Sequence, residues 1–531
     1  MLTLAFSANP GLADNCGTIV VPPGIGIGPG ADVTSFNPLL VDSLYNAEAG
    51  NLLFAQLVWI NRYHQIDYAR SIARSVTTPD NGETYDIALR PWHWSDGKPV
   101  TSADVAYTLK LLRMLGTTSP YYGQGGMPDI IRRFEIPDAA HIRITLNRRV
   151  NPEWFILNGL PALAPMPEHV WARYSLDELW QNQSTPAFFS VVDGPLLLHR
   201  FVVGQEAVFV PNPRYDGPKV HFDRFVMQFM NSEGMALQAV EAHTLEIANL
   251  PFALWGAAQH LAGLHIIALP PSYSWQQFIP NLRNPHTLFF ADTRIREAMA
   301  DAIDQQEMIR LAMHGHGNPV YNGIPPDPAR FLSPSARAGK FAVSYNPKAA
   351  IALLEAAGYT PGPDGVMQRN GQRLEFTLLV PANQTMRLEM AEIAQQNLRA
   401  VGIAMKAKQV EFNQILALDT GPPEGWESIF FAQDMPPYPS GESLFKTGGF
   451  YNSNGYRNAR MDRLIDQSTY SPGPQGLFAY QDYANQQQPV IFLPVEAYAV
   501  LVRNGLHGVR NFLNPIGLWA PDALFCTGPR S

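Results

Sequence analysis

The sequence predicts an α/β protein divided into two or more lobes, an expectation that rests on its length and on two local patterns. At 531 residues the chain exceeds the size at which one hydrophobic core stops growing, about 250–300 residues. Residues 374–380, 388–401 and 403–410 read as strand, helix and strand, with Gly402 ending the helix, an order that makes a parallel pair joined by a crossover. Residues 78–112 place a strand and a capped helix back to back. Between 84 and 90, Tyr85, Ile87 and Leu89 alternate with Thr84, Asp86, Ala88 and Arg90, the period of a half-buried strand. Asp80, Asn81 and Gly82 supply the turn before it, and Asp96-Gly97 marks a second turn. Thr101 and Asp104 then form a capping box, with Val105, Leu109 and Leu112 following at helical spacing.

Composition narrows the function classes. Apolar residues make up 46% and charged residues 16% of the chain, which is globular and ordered. The formal net charge of −8 argues against a nucleic-acid or anionic-membrane partner. The two cysteines, Cys16 and Cys526, exclude a CxxC-type metal site. In an oxidising compartment they are open to one bridge between the chain ends, and two free thiols are the alternative. Residues 1–8 are apolar and Gly11-Leu12-Ala13 has the form of a signal-peptidase site, so residues 1–13 read as a signal peptide without a basic leading segment. Asp14 and Asn15 do not suit a lipid anchor at Cys16. No other run approaches the roughly 18 apolar residues of a membrane span, and the mature protein is expected to be soluble and exported.

The remaining elements follow in order. Residues 18–21 form a short strand, 46–59 an amphipathic helix and 142–146 a strand, and the runs 196–201 and 206–210 follow Asp193-Gly194-Pro195. A strand-like run occupies 272–278, a helix 291–304, and a second helix 347–357 ends at Gly358. Gly26, Gly28 and Ala31 satisfy a GxGxxA pattern, yet Pro29 and the extended run after it open no helix to bind a phosphate. No GxSxG, HExxH or GxxxxGK(S/T) motif is present, so the sharp catalytic signals are missing. His314-Gly315-His316 invites a metal reading, but a glycine-permitted turn explains it with no third ligand nearby.

Several of these stretches agree with one family. Pro79-Asp80-Asn81-Gly82, Thr84-Tyr85, Leu89-Arg90, Trp94, Asp96-Gly97, Pro99-Val100-Thr101 and Asp104-Val105 fall in the order seen in extracellular solute-binding protein family 5. Asp292-Thr293-Arg294-Ile295-Arg296, Tyr345-Asn346-Pro347 and the Asn458, Asp462, Leu464 run continue the pattern, and the chain resembles these peptide- and nickel-type receptors of ABC importers from about residue 17 to 525. The resemblance implies a two-lobed periplasmic-binding-protein fold (type II, cluster C) with an extra inserted subdomain. Residues 14–45, 191–270 and 491–531 would make lobe I, 46–190 the inserted subdomain and 271–490 lobe II. It implies a monomeric, periplasmic or otherwise extracytoplasmic receptor with no cofactor and no catalytic step. Its partners would be a small peptide or peptide-like amine and the permease subunits of an ABC importer. A metal chelate, haem, opine or oligosaccharide cargo is the alternative, and a secreted hydrolase the remote one. Trp94, Asp96, Asp104, Arg294 and Arg296 are scaffold in this reading.

The same resemblance marks candidate ligand-binding residues. Asp434, within Phe431-Ala432-Gln433-Asp434-Met435-Pro436, matches an aspartate that pairs with a peptide's α-ammonium, although Phe431 replaces the frequent tryptophan and a second aspartate is missing. A carboxylate suits an ammonium held in a water-poor cleft, and a turn-capping aspartate in a surface loop is the competing explanation. Tyr273, Trp275 and Phe431 are candidate cleft aromatics, with core packing as their alternative. Tyr121 resembles a tyrosine of an SPY loop, and Arg387 lies where some members place an arginine for a ligand carboxylate.

Overall fold

The computed structural model describes residues 15–25, 32–41, 43–122, 126–230, 232–341, 345–514 and 516–527. The segment read as a signal peptide lies outside them, as do Gly26, Gly28 and Ala31 of the GxGxxA pattern.

Tyr85, Ile87 and Leu89 are buried in strict alternation along the strand Thr84–Leu89, which pairs with Ala73–Thr77 and His141–Leu146 in an antiparallel sheet completed by Ile131–Asp138. The capping box opens the helix Ser102–Leu115, Asp104 accepting from the Thr101 amide at 2.8 Å and hydroxyl at 3.1 Å. Trp94 is fully buried, and Asp96 meets His169 Nε2 at 2.9 Å and accepts from the Lys98 amide at 3.0 Å. These residues hold the scaffold together. Arg294 pairs with Asp292, and Arg296 donates to the backbone carbonyls of Phe290, Gln487 and Gln488, so both serve helix ends.

A second sheet runs in the order Thr18–Val21, Arg224–Gln228, Glu206–Pro211, Leu196–Val202, with its first pair parallel. Ile247–Asn249, Tyr498–Arg503 and Leu264–Leu269 form an antiparallel sheet beside it. The helix expected at 46–59 is Leu44–Leu53, capped by Ser43. It stops early because tertiary partners claim the next backbone groups: Asp193 Oδ1 accepts from the Ala55 amide at 2.9 Å, and the Gly194 amide donates to the Leu53 carbonyl at 2.7 Å. A Cβ at Gly194 would stand 2.5 Å from the Leu53 carbonyl carbon, so this approach requires glycine.

The other lobe is built on a five-stranded sheet in the order Ala404–Val410, Glu375–Pro381, Ser428–Asp434, Ser274–Pro280, Ile491–Leu493. Its first two strands are the parallel pair anticipated from sequence, joined by the helix Thr385–Ala400. On one face Phe278, Leu378, Val380 and Phe430 meet Ile295, Met299, Met390 and Leu398 of the covering helices in a buried apolar cluster.

Two chain segments cross between the lobes side by side. Leu264–Leu269 pairs with Tyr498–Arg503 in one lobe, and a few residues further on Ser274–Pro280 pairs with Ile491–Leu493 in the other. Val495–Glu496 still pairs with Gly317–Asn318 of the second lobe. The boundary expected at 491 therefore falls inside a sheet, and the chain rejoins the first lobe at Tyr498. Short paired segments of this kind are where two rigid lobes can rotate.

Cys16 and Cys526 form a disulfide with their Cα atoms 5.2 Å apart. It ties the edge of the N-terminal sheet to the Phe525–Cys526 strand, which pairs with Leu506–His507. A proteolytic digest of the non-reduced protein should contain one cross-linked peptide joining Cys16 to Cys526. Two alkylatable thiols in the native protein would contradict the bridge.

Candidate functional site

Between the lobes lies a cleft of about 290 Å³. Its floor follows the strand pair Ser274–Pro280 and Ser428–Asp434, in which Ser274 lies opposite Asp434 and Gln277 opposite Phe431. Ser274, Phe431, Ala432, Gln433, Asp434 and Arg387 line it, and Tyr45 and Tyr498 close it from the other lobe. A smaller chamber of about 100 Å³ adjoins it beyond Gln384, Arg387 and Tyr498, which border both.

Arg387 anchors the charge balance. It stands three residues into Thr385–Ala400, where the helix start aims it back towards the crossing strands. It is buried, donating from Nε to Gln276 Oε1 at 2.9 Å and from Nη1 to Gln384. Gln276 is itself fully buried and donates from Nε2 to both carboxylate oxygens of Glu496, at 2.7 and 2.9 Å. The Tyr498 hydroxyl completes the chain by donating to Glu496. Arg387 and Glu496 thus communicate through one amide, which satisfies both charged groups.

Asp434 is exposed to the cleft at the end of its strand, yet protein surrounds it on its other sides. Desolvation pushes its carboxyl up to about 6, Arg387 holds it down in part, and Glu496 pushes it further up. Burial likewise raises Glu233 in the adjoining chamber, with Arg387 opposing, and raises Glu48 behind the cleft wall well above the carboxylate range. Arg387 is the one lysine or arginine among the described residues lining either chamber, against Glu233, Glu389, Asp419, Asp434 and Glu496. The cleft has a surplus of carboxyl groups, and a cation entering it would restore their ionisation.

The structure gathers Asp434, Phe431, Ala432, Gln433 and Arg387 at one cleft. Tyr273 and Trp275 are corrections, because both are core residues. All seven positions of Ser274–Pro280 are buried, so the sequence around it shows no alternation to tell one face from the other. Trp275 is fully buried, donates to Gln277 Oε1 at 3.1 Å and meets Phe492 edge-on. Tyr273 packs against His64, with ring centroids 4.4 Å apart, and against Phe331. Tyr121, half-buried, packs on the main core outside the cleft lining. His316 stacks on Phe252 with ring centroids 4.2 Å apart, and among the described residues no group of three His, Cys, Asp or Glu could hold a metal.

Sequence reasoning missed Gln276, Gln384, Glu496 and Tyr498. The i, i+3 spacing of Gln384 and Arg387 is a local hint, but the Gln276–Glu496 pair spans 220 positions and leaves no local trace.

Comparison with known proteins identifies the family and the fold. The family model described as bacterial extracellular solute-binding proteins, family 5 Middle, matches residues 67–453. The oligopeptide-binding protein AppA of Bacillus subtilis is 23% identical over 477 residues, covering 86% of this chain and 84% of the relative. Its structure in complex with a nonapeptide superposes with a TM-score of 0.82 at 20% identity, over 97% of this chain and 100% of that one. NikZ of Campylobacter jejuni in complex with Ni(L-His) gives a TM-score of 0.78 at 18% identity, over 93% and 95% of the two chains.

Because the folded-state carboxyl of Asp434 sits above its ordinary 3.8, the unliganded fold should lose stability from this group as pH rises from about 4 to 6. Thermal melts of wild type and Asp434→Asn across this range should diverge with that sign, and parallel curves would contradict the assignment. On the family-model match to 67–453, the chain belongs to the bacterial extracellular solute-binding proteins, family 5.

Proposed function

We propose that this protein is the exported receptor of an ABC importer, capturing a small peptide or peptide-like amine between its lobes and presenting the closed form to a membrane permease. The observation that carries the reading is Asp434, a carboxyl open to the cleft, raised by desolvation, beside a single shared guanidinium. An α-ammonium placed there gains a charge-assisted hydrogen bond to a carboxyl already raised by desolvation. Relatives named as oligopeptide-binding and ABC transporter peptide-binding proteins support the class. The fold alone does not choose the cargo, since NikZ in complex with Ni(L-His) and AgaA in complex with agropinic acid share it. The carboxyl surplus favours a cationic cargo over an anionic one. Binding and release complete the cycle with no bond made or broken, and a monomer suffices for it. Among the described residues no helix is long and apolar enough to cross a membrane.

Asp434→Ala should weaken binding of a free-amine peptide by roughly 2–5 kcal/mol, the scale for removing one partner of a desolvated charge pair. Isothermal titration calorimetry measures this directly, and an unchanged affinity would remove Asp434 from the site.

A further inference from the structure

We propose that the far end of the same cleft receives a second positive charge, an ammonium or guanidinium at Asp419, so that the favoured cargo is a peptide with a basic side chain as well as a free amino terminus. This rests on the receptor reading above and narrows its substrate class.

The crossing strand sets the distance. Asp434 lies opposite Ser274 at one end, and Ile279, which also lines the cleft, is about 17 Å further along at roughly 3.4 Å per residue. Asp419 belongs to that second end. It feels the charge of Arg283, just beyond the strand's last residue Pro280, and lines the cleft with Ser453, whose carbonyl accepts from Arg283 Nη2 at 2.6 Å.

Asp419 is poorly served by its own fold. It is the last residue of the helix Phe412–Asp419, where the negative end of the helix dipole opposes a carboxylate. Its Oδ1 is buried, and the Ser453 hydroxyl beside it is the one hydrogen-bonding group that offsets its burial among the described residues. Desolvation pushes the carboxyl up to about 6, and Ser453 and Arg283 offset only part of this. Apolar and aromatic side chains wall the same end. Phe412 and Phe431 meet edge to face at 5.8 Å, and Leu416 and Tyr451 line the cleft with them. Ring faces attract a cation, and the apolar surface suits the methylene stem of a lysine or arginine. A basic side chain would add to the charge that Arg283 supplies to Asp419 only in part. An extended peptide advances about 3.3 Å per residue, so a long basic side chain at its third to fifth position spans the gap from Asp434.

The test is calorimetric titration of wild type and Asp419→Asn with tri- to pentapeptides carrying lysine at position three, four or five, each beside its norleucine counterpart. At least one lysine peptide should bind wild type tenfold or more tightly than its norleucine twin. Asp419→Asn should abolish that preference, keep the norleucine affinity and melt no lower than wild type. Equal affinities within every pair on wild type, a comparison that needs no variant, would overturn the proposal and leave the receptor reading standing. A lysine preference that survives in Asp419→Asn would do the same. If no free-amine peptide of either series binds wild type, the receptor reading fails and this proposal fails with it.

Discussion

The Gln276 side chain is the fixed point of the molecule. It sits on the first crossing strand, donates to Glu496 on the returning segment and accepts from Arg387 on the helix that covers the sheet. A buried amide that satisfies a carboxylate and a guanidinium at once tolerates little displacement, because each unmet group would bear its full desolvation cost. That constraint keeps the crossing strands, the covering helix and the cleft floor in one register. It also leaves Arg387 shared among several carboxyl groups instead of neutralising one of them, so the cleft retains an unmet demand for positive charge.

That demand links the fold to its function. Asp434 is reached because Ser428–Asp434 runs antiparallel to the crossing strand and ends at its cleft edge. The paired passages at 264–280 and 491–503 carry the chain between the lobes through short stretches between their sheets. A ligand that supplies charge to carboxyls from both lobes, and aromatic contact to Tyr45 and Phe431, binds the closed arrangement better than an open one, which is the condition for a population shift. Residues 151–154 add a second contact, with residues 438–469. Trp154 donates to Glu442 at 2.8 Å, Asn151 to the Tyr438 hydroxyl at 2.9 Å, and the Asn151 amide to the Thr469 carbonyl at 2.7 Å, all in buried surroundings.

Much of the scaffold was legible in the sequence because it rests on local chemistry. The alternation of Tyr85, Ile87 and Leu89, the Thr101–Asp104 box and the Gly402 helix end each declare themselves within a few residues. The helix at 44–53 was read too long, since its end is imposed by Asp193 and Gly194, about 140 residues away. The site was legible only in part. Asp434, Phe431 and Arg387 stood out through resemblance, whereas Trp275 and Tyr273 looked like cleft aromatics because a strand buried along its whole length hides which way each ring turns. Gln276 and Glu496 carry no local signature, and Asp419 before Gly421-Pro422-Pro423 reads as an ordinary helix end until the structure shows its buried oxygen and aromatic walls.

On the proposed function, the inter-lobe cleft recognises a ligand's free amino group. The most direct measurement is a thermal-shift comparison of one peptide series with and without acetylated amino termini, because a ligand that binds only the folded protein must raise the midpoint. The free peptides should give a concentration-dependent rise that disappears on acetylation. An equal rise with both forms, or a rise with sugars or metal chelates alone, would contradict it.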